Sequence, residues 1–405
     1  MFRFMAFQWN SRHPAQVESA ARLQWAAQKI FTDLECVLQG VGIRVYCAGI
    51  RAGSSECTRL DQGAGVILGT IFKRLNPTKI GSQHAFFSKS EAGRVVKTSG
   101  RDLIESYWGR FVAFICDSTS DKQWIVRSAS GELNCFVTQY CGVNIYFSHL
   151  DNVLSLDLVK FSVNWDYVSA DLCTFMPERP ETGLNEVARM QHGECIEWER
   201  EHVTRYEYWH PFDIIASGSI EDAHEAAQAV RAAAKSCTYA WASCYRGILE
   251  LLSGGLDSSI VLGCLKDAPT RPDVVCLNYR HPQDATTDER YFAQLVANQA
   301  GAALVEHEST ADFDIEGILR FQRSAIPFSN VFELELAPIA YRTAKRFSAT
   351  AYFSGEGGRG GHPSSLTCGH SKLPRLKRPS AEGSRRHPWP VQGERRPLSC
   401  ASSDL

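Results

Sequence analysis

Apolar runs and segments of helical spacing alternate along the second half of the chain. The apolar runs predict strands at residues 248–252, 274–279, 303–307 and 350–354. The segments between them predict helices at 257–266, 287–300 and about 338–347. Strands that alternate with helices indicate a mostly parallel sheet with right-handed crossovers. Such sheets bind their ligands at the carboxyl ends of the strands.

The first half of the chain is richer in short apolar segments that are typical of β-structure. Residues 65–72, 109–117, 123–129 and 143–149 predict strands bounded by glycine or by Asp and Ser. This pattern indicates an antiparallel, layered domain. Residues 211–221 combine Pro, Gly and Ser before a helical segment and predict a linker. We therefore expect one domain at 1–210 and a second at 222–358.

The stretch SGGLDSS, Ser253 to Ser259, lies between a predicted strand and a predicted helix. Glycines there allow a tight turn and the close approach of a ligand. The free N–H groups and positive dipole end of the helix attract anions, so the arrangement predicts a phosphate site. It is not a Walker A loop, because no lysine follows the second glycine. Asp257 can face a phosphate only through a metal, which implies Mg²⁺. The alternative is a serine-rich turn in which Asp257 caps the helix.

Composition and charge add limits to this interpretation. The 405 residues suggest two or three domains, and a net charge of −2 gives no reason to expect nucleic-acid or membrane partners. No apolar run approaches the roughly 18 residues that span a bilayer, and the first residues lack the apolar core of a signal peptide. We therefore expect a cytoplasmic protein. The fourteen cysteines lack metal-site spacing and are expected to be reduced thiols.

At SGGLDSS the chain resembles the ATP-pyrophosphatase loop of the asparagine synthetase family, and the resemblance extends with varying strength from the first residues to Gly358. It implies an α/β fold whose second domain is adenine nucleotide α-hydrolase-like. It also implies that ATP and Mg²⁺ convert a carboxylate to an acyl-adenylate, which an amine captures as an amide. The ATP residues implied by the resemblance are Leu252, Ser253, Gly254, Gly255, Asp257 and Ser258, and Asp257 is also the implied metal ligand.

Two further segments of the second domain carry the resemblance. Leu277 would lie against the adenine or ribose. In the motif SGEGG, Ser354 and Gly355 would face AMP, and Glu356 would act near the reacting carbonyl. Asp288 and Glu289 match an acidic pair at a helix start in the family, although such charges are also ordinary at the start of a helix.

The first domain is similar to the glutaminase-type (Ntn-type) domain of asparagine synthetases, through YWGRFVAFICD and the later strand around Ile145. The family's glutaminases use a cysteine directly after the initiator methionine. Here that position holds Phe2, and Cys36 is the first cysteine. Because the reaction needs a thiolate nucleophile, we expect a scaffold domain without glutaminase activity.

The missing cysteine bears on which members of the asparagine synthetase family the chain resembles most. CLNYRHPQDATTDERYFAQLVANQAG and YFSGEGG resemble the lasso-peptide macrolactam synthetases. This resemblance implies a precursor peptide as substrate, activated at an Asp or Glu side chain and closed by its own α-amine, with a leader protease as a further partner. The alternatives are asparagine synthesis from aspartate and ammonia or glutamine, and a catalytically dead nucleotide-binding remnant. Neighbouring genes for a small precursor and a protease would favour the macrolactam synthetase.

The chain changes character after Gly358. Arg359 stands where the family has an aspartate that would be a second Mg²⁺ ligand, and a guanidinium cannot bind a metal. Residues 359–405 are rich in Arg, Pro and Ser without helical or strand period, which predicts disorder. A basic binding tail is one explanation. A reading-frame shift near codon 359 explains more, and it predicts an incomplete second domain with impaired or absent catalysis.

Overall fold

A computed structural model of the chain describes residues 2–51, 54–60, 63–74, 84–117, 119–173, 179–280, 288–309, 323–327 and 333–355. Among these residues, two six-stranded sheets are antiparallel and one four-stranded sheet is parallel. The predicted α/β class, with an antiparallel first half and a parallel second half, is therefore confirmed.

The described strands of the first half are β1 (Arg3–Gln8), β2 (Glu35–Gly40), β3 (Ile43–Ala48), β4 (Glu56–Leu60), β5 (Gly65–Lys73), β6 (Tyr107–Asp117), β7 (Lys122–Arg127), β8 (Phe136–Tyr140), β9 (Val143–Phe147), β10 (Ala188–Arg189), β11 (Glu194–Glu199) and β12 (His202–Glu207). The helices among them are α1 (Pro14–Ile30), α2 (Lys89–Lys97), α3 (Arg101–Glu105), α4 (Leu150–Leu156) and α5 (Trp165–Cys173). One sheet has the order β10–β8–β9–β1–β3–β2, and the other has the order β12–β11–β7–β6–β5–β4.

These two sheets face each other, and helices cover their outer sides. Phe4 of β1 and Val112 of β6 belong to the core between the sheets. Alternate residues such as Met5 pack with α1 and α4, and Phe111 packs with α2 and α3 on the far side of the second sheet. Successive side chains of a strand point to opposite faces. The four layers follow from this alternation, with both faces of each sheet apolar.

Phe2 is 7% exposed and lies in the core between the two sheets. Phe2, which stands where the resemblance implies a nucleophile, is therefore part of the apolar packing of the antiparallel half.

The second half contains α6 (Pro211–Ala216), α7 (Ala223–Ala242), β13 (Gly247–Leu251), α8 (Leu256–Asp267), β14 (Asp273–Arg280), α9 (Arg290–Ala300), β15 (Ala303–Glu308), α10 (Glu333–Arg346) and β16 (Ala351–Ser354). The strands are parallel in the order β15–β14–β13–β16. The strand predictions agree with these bounds to within one residue.

Three predicted segments differ from the structure. The helix predicted at 287–300 begins only at Arg290. The last predicted helix starts at Glu333 instead of about residue 338, so Pro338 lies inside α10. The predicted linker 211–221 contains α6, which begins with Pro211 at its first position, where the missing N–H costs no hydrogen bond. The ring nitrogen Nδ1 of His210 accepts a hydrogen bond from the Phe212 N–H, which helps to start this short helix.

The connections of the parallel sheet pass over both of its faces. Leu262 of α8 and Ala293 of α9 pack on one face with Cys276. Ile339 of α10 packs on the other face with Leu277. The strand order consequently reverses between β13 and β16, and a crevice at the carboxyl ends of the strands is expected at such a switch point.

Three aromatic side chains join the two halves of the described chain. The ring of Phe72, from β5, lies 4.8 Å from that of Trp108 and 4.9 Å from that of Trp241 in α7. Phe72 is fully buried in a cluster that also contains Ile248 and Phe353 of the parallel sheet. A residue of the antiparallel half is thus part of the core of the parallel half.

No helix in the described ranges is long and apolar enough to span a lipid bilayer. The cysteines that the structure describes have free thiols.

Candidate functional site

The segment Ser253–Gly255 follows β13 at the carboxyl edge of the parallel sheet. Leu252, which precedes it, is fully buried, and its N–H donates to the carbonyl of Leu277 at 2.9 Å. Gly254 has φ +95°, a region that side chains rarely adopt. A Cβ atom there would lie 2.7 Å from backbone atoms of Glu289 and Ala293. Only glycine fits this position.

The turn is held by its own serines. Ser253 Oγ accepts a hydrogen bond from the Gly255 N–H at 3.1 Å and lies 3.1 Å from Ser258 Oγ. Ser259 Oγ donates to the Gly255 carbonyl at 2.7 Å. Helix α8 begins at Leu256, so Asp257 lies in its first turn. The loop therefore presents the start of a helix, with its free N–H groups, at the switch point of the sheet.

The second glycine segment closes onto this helix start. Ser354 is paired in register with Leu251 and is 1% exposed. A Cβ atom on Gly355 would lie 2.4 Å from the backbone nitrogen of Ser258. The backbone at Gly355 thus contacts the first turn of α8, and no side chain can be accommodated between them. The two segments predicted to bind ATP lie together in the structure.

Two of the predicted site residues need separate comment. The Leu277 side chain is fully buried among apolar residues under α10, and its carbonyl accepts from Leu252. Its contact with an adenine or ribose stays a prediction. Glu356, the predicted catalytic residue, lies outside the described residues, as does Arg359.

The acidic pair at the start of α9 is divided between two environments. Asp288 forms an ion pair with Arg290 at 2.7 Å and lies 3.8 Å from Arg280. The hydrogen bond from Arg290 lowers the pKa of Asp288 to about 2. Glu289 Oε2 instead lies 3.7 Å from the position of a Cβ atom on Gly255. Glu289, and not Asp288, faces the glycine loop.

The donor set of the loop is compatible with Mg²⁺. In the described part of the chain, no three His, Cys, Asp or Glu side chains cluster as a metal site. Mg²⁺ in nucleotide sites is usually held by one or two carboxylates together with phosphate oxygens and water. Asp257 in the first turn of α8 and Glu289 beside Gly255 are carboxylates of this kind.

Asn278 and Glu250 are polar side chains at the base of the loop that the sequence analysis did not select. Asn278 is 3% exposed, and its amide nitrogen donates to the Leu252 carbonyl at 2.8 Å. Glu250 is fully buried in β13. Both interrupt strands that are otherwise mainly apolar, and this interruption was the available sequence signal.

Comparison with known protein families agrees with this geometry. Residues 246–364 match the asparagine synthase family model. The match covers the segment from the start of β13 past the end of β16, so both glycine segments lie within the asparagine synthase-like part. No curated protein sequence matches the chain significantly.

Solved structures give only remote likenesses to the chain. A glutamine-dependent NAD⁺ synthetase from Acinetobacter baumannii in complex with ADP is 16% identical with a TM-score of 0.23, covering 39% of this chain and 29% of that chain. The allosteric regulatory enzyme of purine biosynthesis is 9% identical with a TM-score of 0.33, covering 90% and 94%. Glutamine phosphoribosylpyrophosphate amidotransferase from B. subtilis, complexed with ADP and GMP, is 8% identical with a TM-score of 0.30, covering 87% and 80%. Likenesses of this size carry no conclusion about activity.

Proposed function

We propose that the chain carries the nucleotide-binding domain of an ATP-dependent amide-forming ligase of the asparagine synthase type. The observation that carries the proposal is the contact of Gly355 with the backbone of Ser258. It brings the two glycine segments of the asparagine synthase-like part to one helix start, at the point where the order of the parallel strands reverses.

Each part of this site has a role in the proposed reaction. The N–H groups at the start of α8 bind the pyrophosphate part of ATP, and Asp257 and Glu289 would hold Mg²⁺, which offsets the phosphate charge. Ser354 and Gly355 lie on the AMP side. A substrate carboxylate oxygen attacks the α-phosphorus as the bond to pyrophosphate breaks. An amine nitrogen then bonds to the acyl carbon, and AMP leaves.

The first domain bears on the source of the amine. We take it to be an Ntn-type glutaminase-like domain without its nucleophile, because Phe2 stands where the resemblance implies a cysteine. Ammonia from glutamine is then not supplied within this chain, which favours an amine that is already part of the substrate.

The finer proposal is macrolactam formation on a peptide, as in lasso-peptide synthetases. Apolar side chains beside the loop support it. Leu256 and Tyr291 are each 72% exposed, and Phe292 lies next to Gly254. A surface of this kind suits an apolar peptide better than free aspartate, since large apolar side chains are otherwise mostly withdrawn from water.

The test of the proposal is ATP–pyrophosphate exchange with the purified 405-residue protein. Exchange that depends on a peptide with an Asp or Glu side chain and a free amino terminus supports macrolactam formation. Exchange that depends on free aspartate supports asparagine synthesis instead. Intact Mg·ATP binding without any exchange identifies a nucleotide-binding remnant. The expectation of impaired catalysis stays a prediction, and robust pyrophosphate release by this protein would overturn it.

A further inference from the structure

Asn278 connects the second strand of the parallel sheet to the glycine loop. Its amide nitrogen donates to the Leu252 carbonyl at 2.8 Å and lies 3.5 Å from the Ser253 carbonyl. These contacts orient the amide, so Oδ1 is the remaining acceptor. That oxygen is buried and has no hydrogen-bond partner among the residues that the structure describes. A buried amide oxygen without a partner is uncommon and calls for a donor.

Glu250 is a second buried polar side chain whose oxygens lack a hydrogen-bond partner among the described residues, and it lies on the same face of the sheet. It is fully buried, and within the described ranges neither of its carboxyl oxygens has a hydrogen-bond partner. In the register of the sheet it is opposite Cys276 on one side and Phe353 on the other. An ionised carboxylate in such surroundings would be very unfavourable. A protonated carboxyl group, in contrast, has one O–H to donate.

The register makes these two side chains diagonal neighbours. Leu251 of β13 is opposite Leu277 of β14, so the next residues, Leu252 and Asn278, are also side by side. Glu250, on β13, precedes Leu252 by two residues. Residues two apart point to the same face of a sheet. Diagonal neighbours on adjacent strands are about 7–8 Å apart, within reach of a long side chain.

We propose that Glu250 and Asn278 form a buried relay that positions the phosphate loop. The protonated Glu250 carboxyl donates its O–H to Asn278 Oδ1, and the Asn278 amide donates in turn to the Leu252 carbonyl at the entrance of the loop. The relay rests on the proposed nucleotide site, and it would give a partner both to the buried oxygen of Asn278 and to the buried carboxyl group of Glu250. Both are positioning residues, since neither is assigned a contact with ATP.

The first test is a double-mutant cycle on the free energy of unfolding, measured without nucleotide. Glu250→Leu and Asn278→Leu each remove one partner and keep the side-chain volume similar. Coupled side chains give non-additive effects, whereas independent sites add. We expect non-additivity in this pair and additivity when Glu250→Leu is combined with Asn298→Leu, a change of an exposed asparagine in α9. Additive effects in the Glu250–Asn278 pair would overturn the relay.

The second test measures the affinities for Mg·ATP and Mg·pyrophosphate by calorimetry. Asn278→Leu and Glu250→Leu should weaken both ligands about three- to tenfold, the range expected for one hydrogen bond. Glu250→Gln keeps a donor and should stay within about twofold of the unaltered protein. Weaker AMP binding with unchanged pyrophosphate binding would contradict loop positioning, because it would show Asn278 acting on the nucleoside.

The two proposals can fail separately. If the unaltered protein binds neither Mg·ATP nor Mg·pyrophosphate, the proposed function is wrong, and the unfolding cycle still decides whether Glu250 and Asn278 interact. If both ligands bind and the variants bind them equally well, the function stands and the relay is overturned.

Discussion

At the scale of single residues, the unusual feature is an acidic side chain in the middle of a buried strand. Glu250 lies in β13, and burial raises its pKa well above the ordinary value because the charged form is desolvated. Among the residues that the structure describes, the titratable groups that interact with Glu250 are the thiols of Cys264 in α8 and Cys276 in β14. The folded chain therefore favours the protonated acid, whether or not the relay to Asn278 exists.

This protonation predicts a pH-dependent stability. The folded chain keeps the Glu250 proton at pH values where the unfolded chain, with a pKa of about 4.3, has lost it. The free energy of unfolding should then fall as pH rises above that value, by up to about 1.4 kcal/mol per pH unit, until the folded pKa is reached. Glu250→Gln has no carboxyl group to titrate at this position. Its free energy of unfolding, relative to that of the unaltered protein, should therefore increase as the pH rises. Urea unfolding between pH 4.5 and 8 measures this difference.

The control for this measurement is Glu221→Gln, a change at an exposed position. The free energy of unfolding of this variant should change with pH in the same way as that of the unaltered protein. Parallel curves for Glu250→Gln and the unaltered protein would show that Glu250 does not titrate differently on folding.

At the scale of elements, the site depends on how closely β16 approaches the first turn of α8. A Cβ atom added to Gly355 would lie 2.4 Å from the backbone nitrogen of Ser258, which is too close for a real side chain. Gly263, on the same helix, has open space around its Cβ position. The two glycines differ in their surroundings and so provide a matched pair of substitutions.

Gly355→Ala should displace the start of α8 and weaken Mg·ATP binding by tenfold or more, because the clash is with backbone. Gly263→Ala should leave binding unchanged and stabilise α8 by about 0.5–1 kcal/mol, since alanine favours helix interiors. Calorimetry and thermal unfolding of both variants test this. Equal nucleotide affinities for the two variants would show that the contact of Gly355 with α8 is unimportant for binding.

The sequence predicted the parallel half better than the antiparallel half. Strands such as β13 and β14 are mainly apolar segments between helices, a local pattern that can be read directly. Strand β1 is paired with β3 and also with β9, about 140 residues away, so its place depends on contacts that no local pattern shows. The start of α10 was predicted at about residue 338, where Pro338 stands. The helix instead begins at Glu333 and continues through this proline.

In the site, too, the residues that belong to a local motif were predicted, and those that depend on contacts between strands were not. Gly254, Gly255 and Asp257 were identified from one contiguous motif, because the turn and the helix start are local. Asn278 and Glu250 gain their significance from the register between two strands, which the sequence alone does not give. For Leu277 the strand was predicted, but the face that α10 covers was not.

At the scale of the whole molecule, the described residues belong to one compact unit. Phe72 of the antiparallel half is packed against Trp241 of α7 and within the cluster that contains Phe353. Because both halves contribute side chains to this one buried aromatic cluster, we expect them to unfold together.

Phe72→Ala should lower the free energy of unfolding by about 3–5 kcal/mol and separate the unfolding of the antiparallel half from that of the parallel half. Phe86→Ala, which truncates a side chain that is 87% exposed, is the matched control and should change little. Calorimetric scans of both variants provide the measurement. A single transition at the original temperature in Phe72→Ala would refute the coupling.

The first domain should release no ammonia from glutamine. Phe2 has no thiol to act as a nucleophile, and its side chain is packed in the core between the sheets. Glutamate formation in the presence of glutamine should equal the protein-free background. Release above that background, abolished by substitution of a single cysteine, would mean that another thiol performs the reaction.

The most direct test of the central claim is the affinity of the chain for Mg·ATP, measured by calorimetry for three proteins. The unaltered protein and Asp273→Ala, which changes an exposed aspartate at the opposite end of β14, should bind Mg·ATP equally. Asp257→Ala should bind at least about tenfold more weakly, because a charged contact contributes roughly 1.5–3 kcal/mol. Unchanged Mg·ATP affinity in Asp257→Ala would contradict the assignment of the glycine loop as the nucleotide site.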